Sequence, residues 1–406
     1  MFSSRVHGSA TTNRLTLALE RRRKTGAPLA DLIESNPTRS GILYDEAVIS
    51  RALLQPGSFL YEPHPRGLGV ARQAIVEYYR ERGVTARVES LVLASGTSEA
   101  YGYLFRLLAD PGDEVLVPVP GYPLLEVLTA LDAVRLVPYR HLYRRPGGWA
   151  LDLERLENTI SRRTKAIAVV SPNNPTGAFL KKRELEGITD LCRRFGLALI
   201  VDEVFSDYGH GKDETRVQSA AGHQGALTFV LNGFSKIVGL PQLKLAWIHV
   251  NGPEDQRNAA LERLEFIADA YLSVATPVQL GASLILSQRR MIQAQITSRL
   301  EENAGVLEEA LRGAPEVEIL NREGGWYSVI RLPDGTSDEE VCLRCLEEDG
   351  VLVHPGYFYD FPAGSHLVLS LLTPSDVFRE GLRKLAVRLR PPGGLQAKAQ
   401  GGIVGP

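Results

Sequence analysis

Five kinds of side chain in this sequence could do chemistry together. The first is Lys236, set in FVLNGFSKIVGLPQLKLAW (229–247) between two apolar runs and with no carboxylate close by in sequence. Lysine is ordinarily a solvated surface residue. An amine taken out of water has a lowered pKa and becomes a nucleophile toward an aldehyde. The second is Asp202, directly after the apolar run 197–201 (LALIV), where a carboxylate is costly unless it meets a cation. The third is Asn174, in the turn SPNNPTG (171–177), and the fourth is Tyr122, in the rigid turn PGYP (120–123). The fifth is Gly96-Thr97-Ser98, between a short apolar run and a helical pattern. Free backbone N–H groups, a helix dipole and two hydroxyls make an anion site there. The plain alternative is a Ser or Thr helix cap.

These groups need elements to position them. Apolar runs at 90–94, 114–119, 134–138, 165–171, 196–202, 227–231 and 245–250 read as strands, with helical patterns between most of them. Near-continuous apolar strands alternating with helices predict a mostly parallel central sheet covered by helices, an α/β architecture. In such sheets ligands collect at the C-terminal strand ends, where all five groups fall. Helical spacing is also read at 13–24, 70–83 and 289–312, and residues 1–13 read as a frayed start. The loop Ser35-Asn36-Pro37-Thr38-Arg39 reads either as a connection or as a strap over a ligand.

Composition narrows the function class. The chain has 406 residues, 44% hydrophobic and 23% charged, with a formal net charge of -2. Its length predicts a large core and a second, smaller domain. Near-neutral charge favours neither nucleic acid nor an anionic membrane as partner. The basic run 21–24 reads as a solvated helix end, and no apolar run is long enough to span a bilayer. The three cysteines form no framework, and the C-x-x-C of Cys342 and Cys345 lies in a helical pattern, so no metal site is expected. A reducing cytoplasm is the simplest expectation.

An anion grip, an aromatic platform, an amide, a carboxylate and an amine at the strand ends of one sheet are what pyridoxal 5′-phosphate requires. Neither G-x-G-x-x-G nor G-x-x-x-x-G-K-[ST] occurs to argue for a nucleotide instead. At this point the chain resembles a known family. YEPHPRGL, SGTSEA, PGDEVLVPVPGYP, SPNNPTG, VDEVF, GFSK and GGWYSVIRLP, in that order across residues 30–390, resemble the class I/II aminotransferases of pyridoxal-phosphate fold type I, the aspartate aminotransferase fold. The resemblance implies that Lys236 is the Schiff-base lysine and that Asp202 pairs with the pyridine nitrogen. It implies that Asn174 donates to O3′ and Tyr122 stacks on the ring. Gly96, Thr97, Ser98 and Ser235 would hold the phosphate. Tyr61 would reach the phosphate of a neighbouring subunit, which implies a homodimer. The implied activity is transamination between a small-molecule amino donor and a keto-acid acceptor. The same scaffold also carries lyases, decarboxylases and oxidases, and serves as a sensor domain in some regulators.

Three positions depart from the family pattern. Phe205 stands where a second O3′ donor, a tyrosine, is common. Lys244 stands where an arginine usually binds phosphate, keeping the charge and losing the fork. Val368, in HLVLS (366–370), stands where an arginine usually clamps the substrate carboxylate. Arg39, with Asn36 in the same strap, is the nearest alternative for that carboxylate. The expected organisation is a large domain over 50–290, a small domain from 14–49 plus 291–392, and a disordered tail over 393–406.

Overall fold

The structure, a computed structural model, describes residues 2, 3, 5, 6 and 13–390; the expected tail over 393–406 and most of the expected frayed start lie outside the described residues. Fourteen strands run in chain order: β1 (Ala30–Asp31), β2 (Leu91–Ala94), β3 (Glu114–Val119), β4 (Arg135–Arg144), β5 (Gly148–Leu151), β6 (Thr164–Val170), β7 (Ala198–Asp202), β8 (Thr228–Gly233), β9 (Ala246–Asn251), β10 (Glu318–Ile319), β11 (Tyr327–Arg331), β12 (Val351–Leu352), β13 (His354–Pro355) and β14 (His366–Ser370). Eight of them form the central sheet in the order β2-β9-β8-β7-β6-β3-β4-β5. β4, β3, β6, β7 and β8 are parallel neighbours, whereas β9 runs antiparallel to both β8 and β2.

This topology puts the C-terminal ends of β2, β3, β6, β7 and β8 on one edge. Because β9 is reversed, its first residue, Ala246, pairs with both Ala94 and Gly233 and lies on that same edge. The strands are buried along their whole length in β2, β3, β7, β8 and β9. One face packs Leu91, Leu93, Leu116, Ile167, Leu199, Val201, Val230 and Trp247 into one core, and the other packs Val92, Val115, Val117, Ala168, Ile200, Phe229 and Ile248 into a second. That division follows from the period of two along a strand covered on both sides.

The run expected to end at 138 continues to Arg144 and turns back as β5. Its second half mixes exposed, half-buried and buried positions, as an outer hairpin does, so no continuous apolar run marks it. A smaller antiparallel sheet, β10-β11-β14-β13, and the parallel pair β1-β12 complete the molecule, so an α+β unit accompanies the large sheet. Helix Ser375–Leu389 packs on helix Arg289–Leu311, and Ser370 N donates to Leu32 O at 2.7 Å, joining the strap segment to β14. Cys342 and Cys345 are buried and free, and burial pushes the Cys345 thiol up to about 12. Among the described residues no helix is long and apolar enough to cross a membrane.

Candidate active site

Asp202 is the last residue of β7, between Val170 of β6 and Leu231 of β8. Its side chain is buried, and Oδ1 accepts from Val204 N at 3.1 Å. Burial pushes its pKa up to about 6, against the pull of the Val204 N–H, the nearby Tyr101 hydroxyl and the Lys236 cation. Tyr101 stands close enough to influence Asp202, yet its Oη is buried without a hydrogen bond of ordinary geometry.

Lys236 sits in the single helical turn Phe234–Ile237 that follows β8. The residue keeps a little exposed surface, but its Nζ is enclosed, 4.5 Å from the centroid of Trp326 and 5.3 Å from that of Phe205. Burial brings its pKa down to about 8, and the Asp202 carboxylate pulls it partly back. A ring face is a favourable neighbour for an ammonium that has lost its water.

In the turn after β6, Asn173 is held by its side-chain oxygen and its backbone, while its Nδ2 is buried without a partner. Asn173 Oδ1 accepts from Thr176 Oγ1 at 2.9 Å, while its backbone N and O bond to Ala178 and Gly177, both at 2.8 Å. Asn174 is buried, and its Oδ1 has no partner. Beside it stands Tyr327, whose hydroxyl also neighbours Ser35 and Tyr122.

Gly96 caps helix Thr97–Leu108 without any side-chain bond to the first turn. Neither the Thr97 nor the Ser98 hydroxyl fills the cap, so the plain capping alternative fails. A Cβ built on Gly96 would lie 3.2 Å from Lys244 Nζ. A cation at the positive end of a helix is unfavourable unless an anion joins them. Lys244 reaches this place because it precedes the reversed strand β9, and it does so with φ +50.

Other expected residues are placed less centrally. Ser235 is half-buried beside Lys236, and Tyr122 is 51% exposed in the loop after β3, where Gly121 N donates to Tyr359 O at 2.9 Å. Tyr61 is 74% exposed, far out on its loop. Asn36 spends its side-chain oxygen on Thr38 N (3.1 Å) and Thr38 Oγ1 (2.8 Å), and Arg39 is exposed. Val368 is fully buried, paired with Val329 and His354 and packed with Trp149, Leu320 and Tyr359. Tyr359 Oη is 3.0 Å from His354 Nδ1, and burial takes His354 down to about 4, so this corner is neutral.

Trp326, Tyr327 and Tyr101 are neighbours of the site that sequence reasoning assigned no role. The Gly-Gly before an aromatic pair was a signal for the first two, and Tyr101 lies one helical turn after Thr97.

The family model "Aminotransferase class I and II" matches residues 34–379. The glutamate-pyruvate aminotransferase AlaA of Haemophilus influenzae is 28% identical over 334 residues, covering 79% of this chain and 80% of that one. An alanine aminotransferase of Mycobacterium bovis is 30% identical over 328 residues, 79% and 76% of the two chains. Among solved structures, an alanine aminotransferase from Pyrococcus furiosus superposes with a TM-score of 0.86 at 25% identity, covering 96% of this chain and 99% of that one. A lysine and a carboxylate buried together at the strand ends of this fold, and a family match over most of the length, lead to one conclusion: the chain belongs to the class I and II aminotransferase family and is a pyridoxal-phosphate-dependent aminotransferase, moving an amino group between an amino compound and a keto acid.

Proposed function

We propose that the amino group is moved at Lys236, with Asp202, Asn174, Tyr122, Gly96, Thr97, Ser98, Ser235 and Lys244 holding the cofactor around it. The observation that carries this reading is the buried Lys236–Asp202 pair, an amine brought down to about 8 beside a carboxyl pushed up to about 6. The residues present fit pyridoxal phosphate. An uncapped helix N-terminus with an ammonium beside it suits a phosphate, and the buried Asn174 side chain supplies an Nδ2 donor of the kind a ring oxygen needs. When bound, the cofactor supplies an aldehyde and an electron sink. Asp202 keeps a positive charge at the strand ends. Lys236, half deprotonated at a pH of about 8, takes and returns a proton. Phe205 and Trp326 keep water from it.

The test is direct. Borohydride reduction of the purified protein, followed by digestion, should place the pyridoxyl mass on the peptide containing Lys236, and Lys236→Ala should abolish the fixed adduct. An adduct on any other lysine overturns the assignment.

For the substrate we propose an amino acid, supported by relatives named for alanine and for glutamate and pyruvate. With Val368 in a neutral, aromatic corner, its carboxylate is assigned to Arg39 on the strap. Arg39→Ala should raise KM several-fold for the amino-acid donor and leave a plain amine donor little changed. Equal effects on both donors would remove Arg39 from the site.

We further propose a homodimer in which Tyr61 completes the neighbouring site, and the domain division at 50–290 against 14–49 plus 291–392. Exposed Phe59, Leu60 and Tyr61 on one loop support the first. Separate sheets for 91–251 and 318–370 support the second.

A further inference from the structure

Two carbonyls of the turn that carries Lys236, and that of Gly239 just after it, accept hydrogen bonds from side chains in three separate parts of the chain. Tyr208 Oη, beyond β7, donates to Lys236 O at 2.6 Å. Gln293 Nε2, on helix Arg289–Leu311, donates to Ile237 O at 2.9 Å. Tyr44 Oη, beyond the strap, donates to Gly239 O at 2.7 Å. Gly239 has φ +58, and a Cβ there would lie 3.0 Å from Tyr44 Oη and 3.2 Å from Pro37 Cβ, so the turn and the strap are in close contact.

The same helix also holds the chain just after the strap. Gln295 exchanges two hydrogen bonds with the Leu43 main chain, both at 2.9 Å, and Arg299 Nη1 donates to Ser40 O at 2.9 Å. Gln293 is itself fixed. Its Nε2 donates to Asp207 Oδ2 at 2.7 Å, and Asp207 pairs with Arg82 at 3.1 Å and accepts from Tyr78. At its other end the strap meets the site, since Ser35 neighbours the Tyr327 hydroxyl beside Asn174.

We propose that Gln293 and Tyr44 are positioning residues for Lys236, holding the lysine turn in register with the strap so that the amine is aimed when the strap is seated. The inference rests on the reading of Lys236 as the reacting amine. Reaction rates fall steeply when a reacting group is displaced by an ångström, and each of these side chains removes one direction in which the turn could shift. The charged groups around the amine are Asp202 beside it and, behind the turn, the Asp207–Arg82 pair; Tyr78, Tyr208 and Tyr44 are neutral at ordinary pH, burial holding all three hydroxyls above their usual range. Neither variant below changes a charge.

The variants are Gln293→Met and Tyr44→Phe, the second removing a single oxygen. Glu302→Gln is the control, since it breaks the bonds from the same helix to Ser375 and Arg379, away from the turn, and leaves both partners of the Arg299–Ser40 bond in place. Four quantities are read on each: thermal midpoint, kcat, KM and the pH midpoint of Lys236 acetylation in the cofactor-free chain. A loosened turn lets water reach the amine, so in both variants the acetylation midpoint should rise toward the ordinary lysine value. kcat should fall ~10-fold while KM changes far less, and Glu302→Gln should show neither effect. A lowered thermal midpoint with unchanged kcat and unchanged acetylation overturns the proposal and leaves the two residues purely structural. Borohydride trapping on each variant separates the two readings: an adduct away from Lys236 in the parent protein defeats the underlying assignment, whereas an adduct on Lys236 with unaltered kinetics defeats only the positioning role.

Discussion

Lys236 and Asp202 are both driven toward their neutral forms by burial, and each opposes that drive in the other. The balance leaves the amine near 8 and the carboxyl near 6, so between those values the pair is charged, and above about 8 the amine is free to react. Removing the carboxylate removes the charge that favours the ammonium and leaves the lowering effect of burial unopposed by any anion. Asp202→Asn should therefore lower the pH at which Lys236 of the cofactor-free chain becomes half-acetylated, to below about 8. The competitive-labelling titration that gives this midpoint would contradict the electrostatic account if the midpoint rose or stayed. The sign follows from the charges: a nearby anion stabilises the protonated amine, and its loss makes deprotonation easier.

At the scale of elements, the site depends on the crossing of two loops. Gly177, at φ +71, faces Gly324, and a Cβ on Gly177 would meet Gly324 O at 2.5 Å; a Cβ on Gly324 would meet Tyr208 O at 2.5 Å. One loop carries Asn174, and the other leads into Trp326 and Tyr327. Glycine at both positions lets the backbones touch, which brings the amide and the aromatic pair to the same strand ends. Gly177→Ala combines a left-handed backbone with a backbone clash and should destabilise the protein by about 1–3 kcal/mol. Thermal unfolding gives that loss, and retention of cofactor through gel filtration should fall with it. Undiminished stability and retention would show that the crossing has slack. The helix after Gly96 works on the same scale. No side chain caps its first turn, and the Lys244 ammonium, placed just before the reversed strand β9, makes the spot electropositive and so receptive to an anion.

For the whole molecule, the distribution of apolar surface bears on the proposed homodimer. Phe59 is 94% exposed and Phe266 83%, with Leu43, Leu54, Leu60 and Val70 also largely uncovered. Scattered exposed apolar residues are ordinary, but three in a row on the loop that carries Tyr61 are not. A symmetric pair of chains would cover this loop and carry Tyr61 across. Phe59→Asp should then shift the protein toward monomer in sedimentation velocity, and the thermal midpoint should fall and become dependent on protein concentration. A monomeric parent protein with full activity at the same concentration would refute the shared site.

The order of the site along the chain and the α/β alternation were determined by sequence alone. Each is a local signal. An acid after five apolar residues, or a glycine and two hydroxyls between a strand and a helix, has few possible places, and those places share one sheet edge. The tail of β4 was not legible, because half-buried residues on an outer hairpin leave no apolar run. What surrounds Lys236 was decided only by tertiary structure. Trp326 and Phe205 enclose its amine, Gln293 lies 56 positions from the carbonyl it holds, and Tyr44 lies 195 positions from its own. No periodicity or motif links residues so far apart. Their meeting depends on the reversed strand, the loop crossing and the long helix all packing at once, and the lowered pKa of the lysine is a property of that packing rather than of its neighbours in the chain.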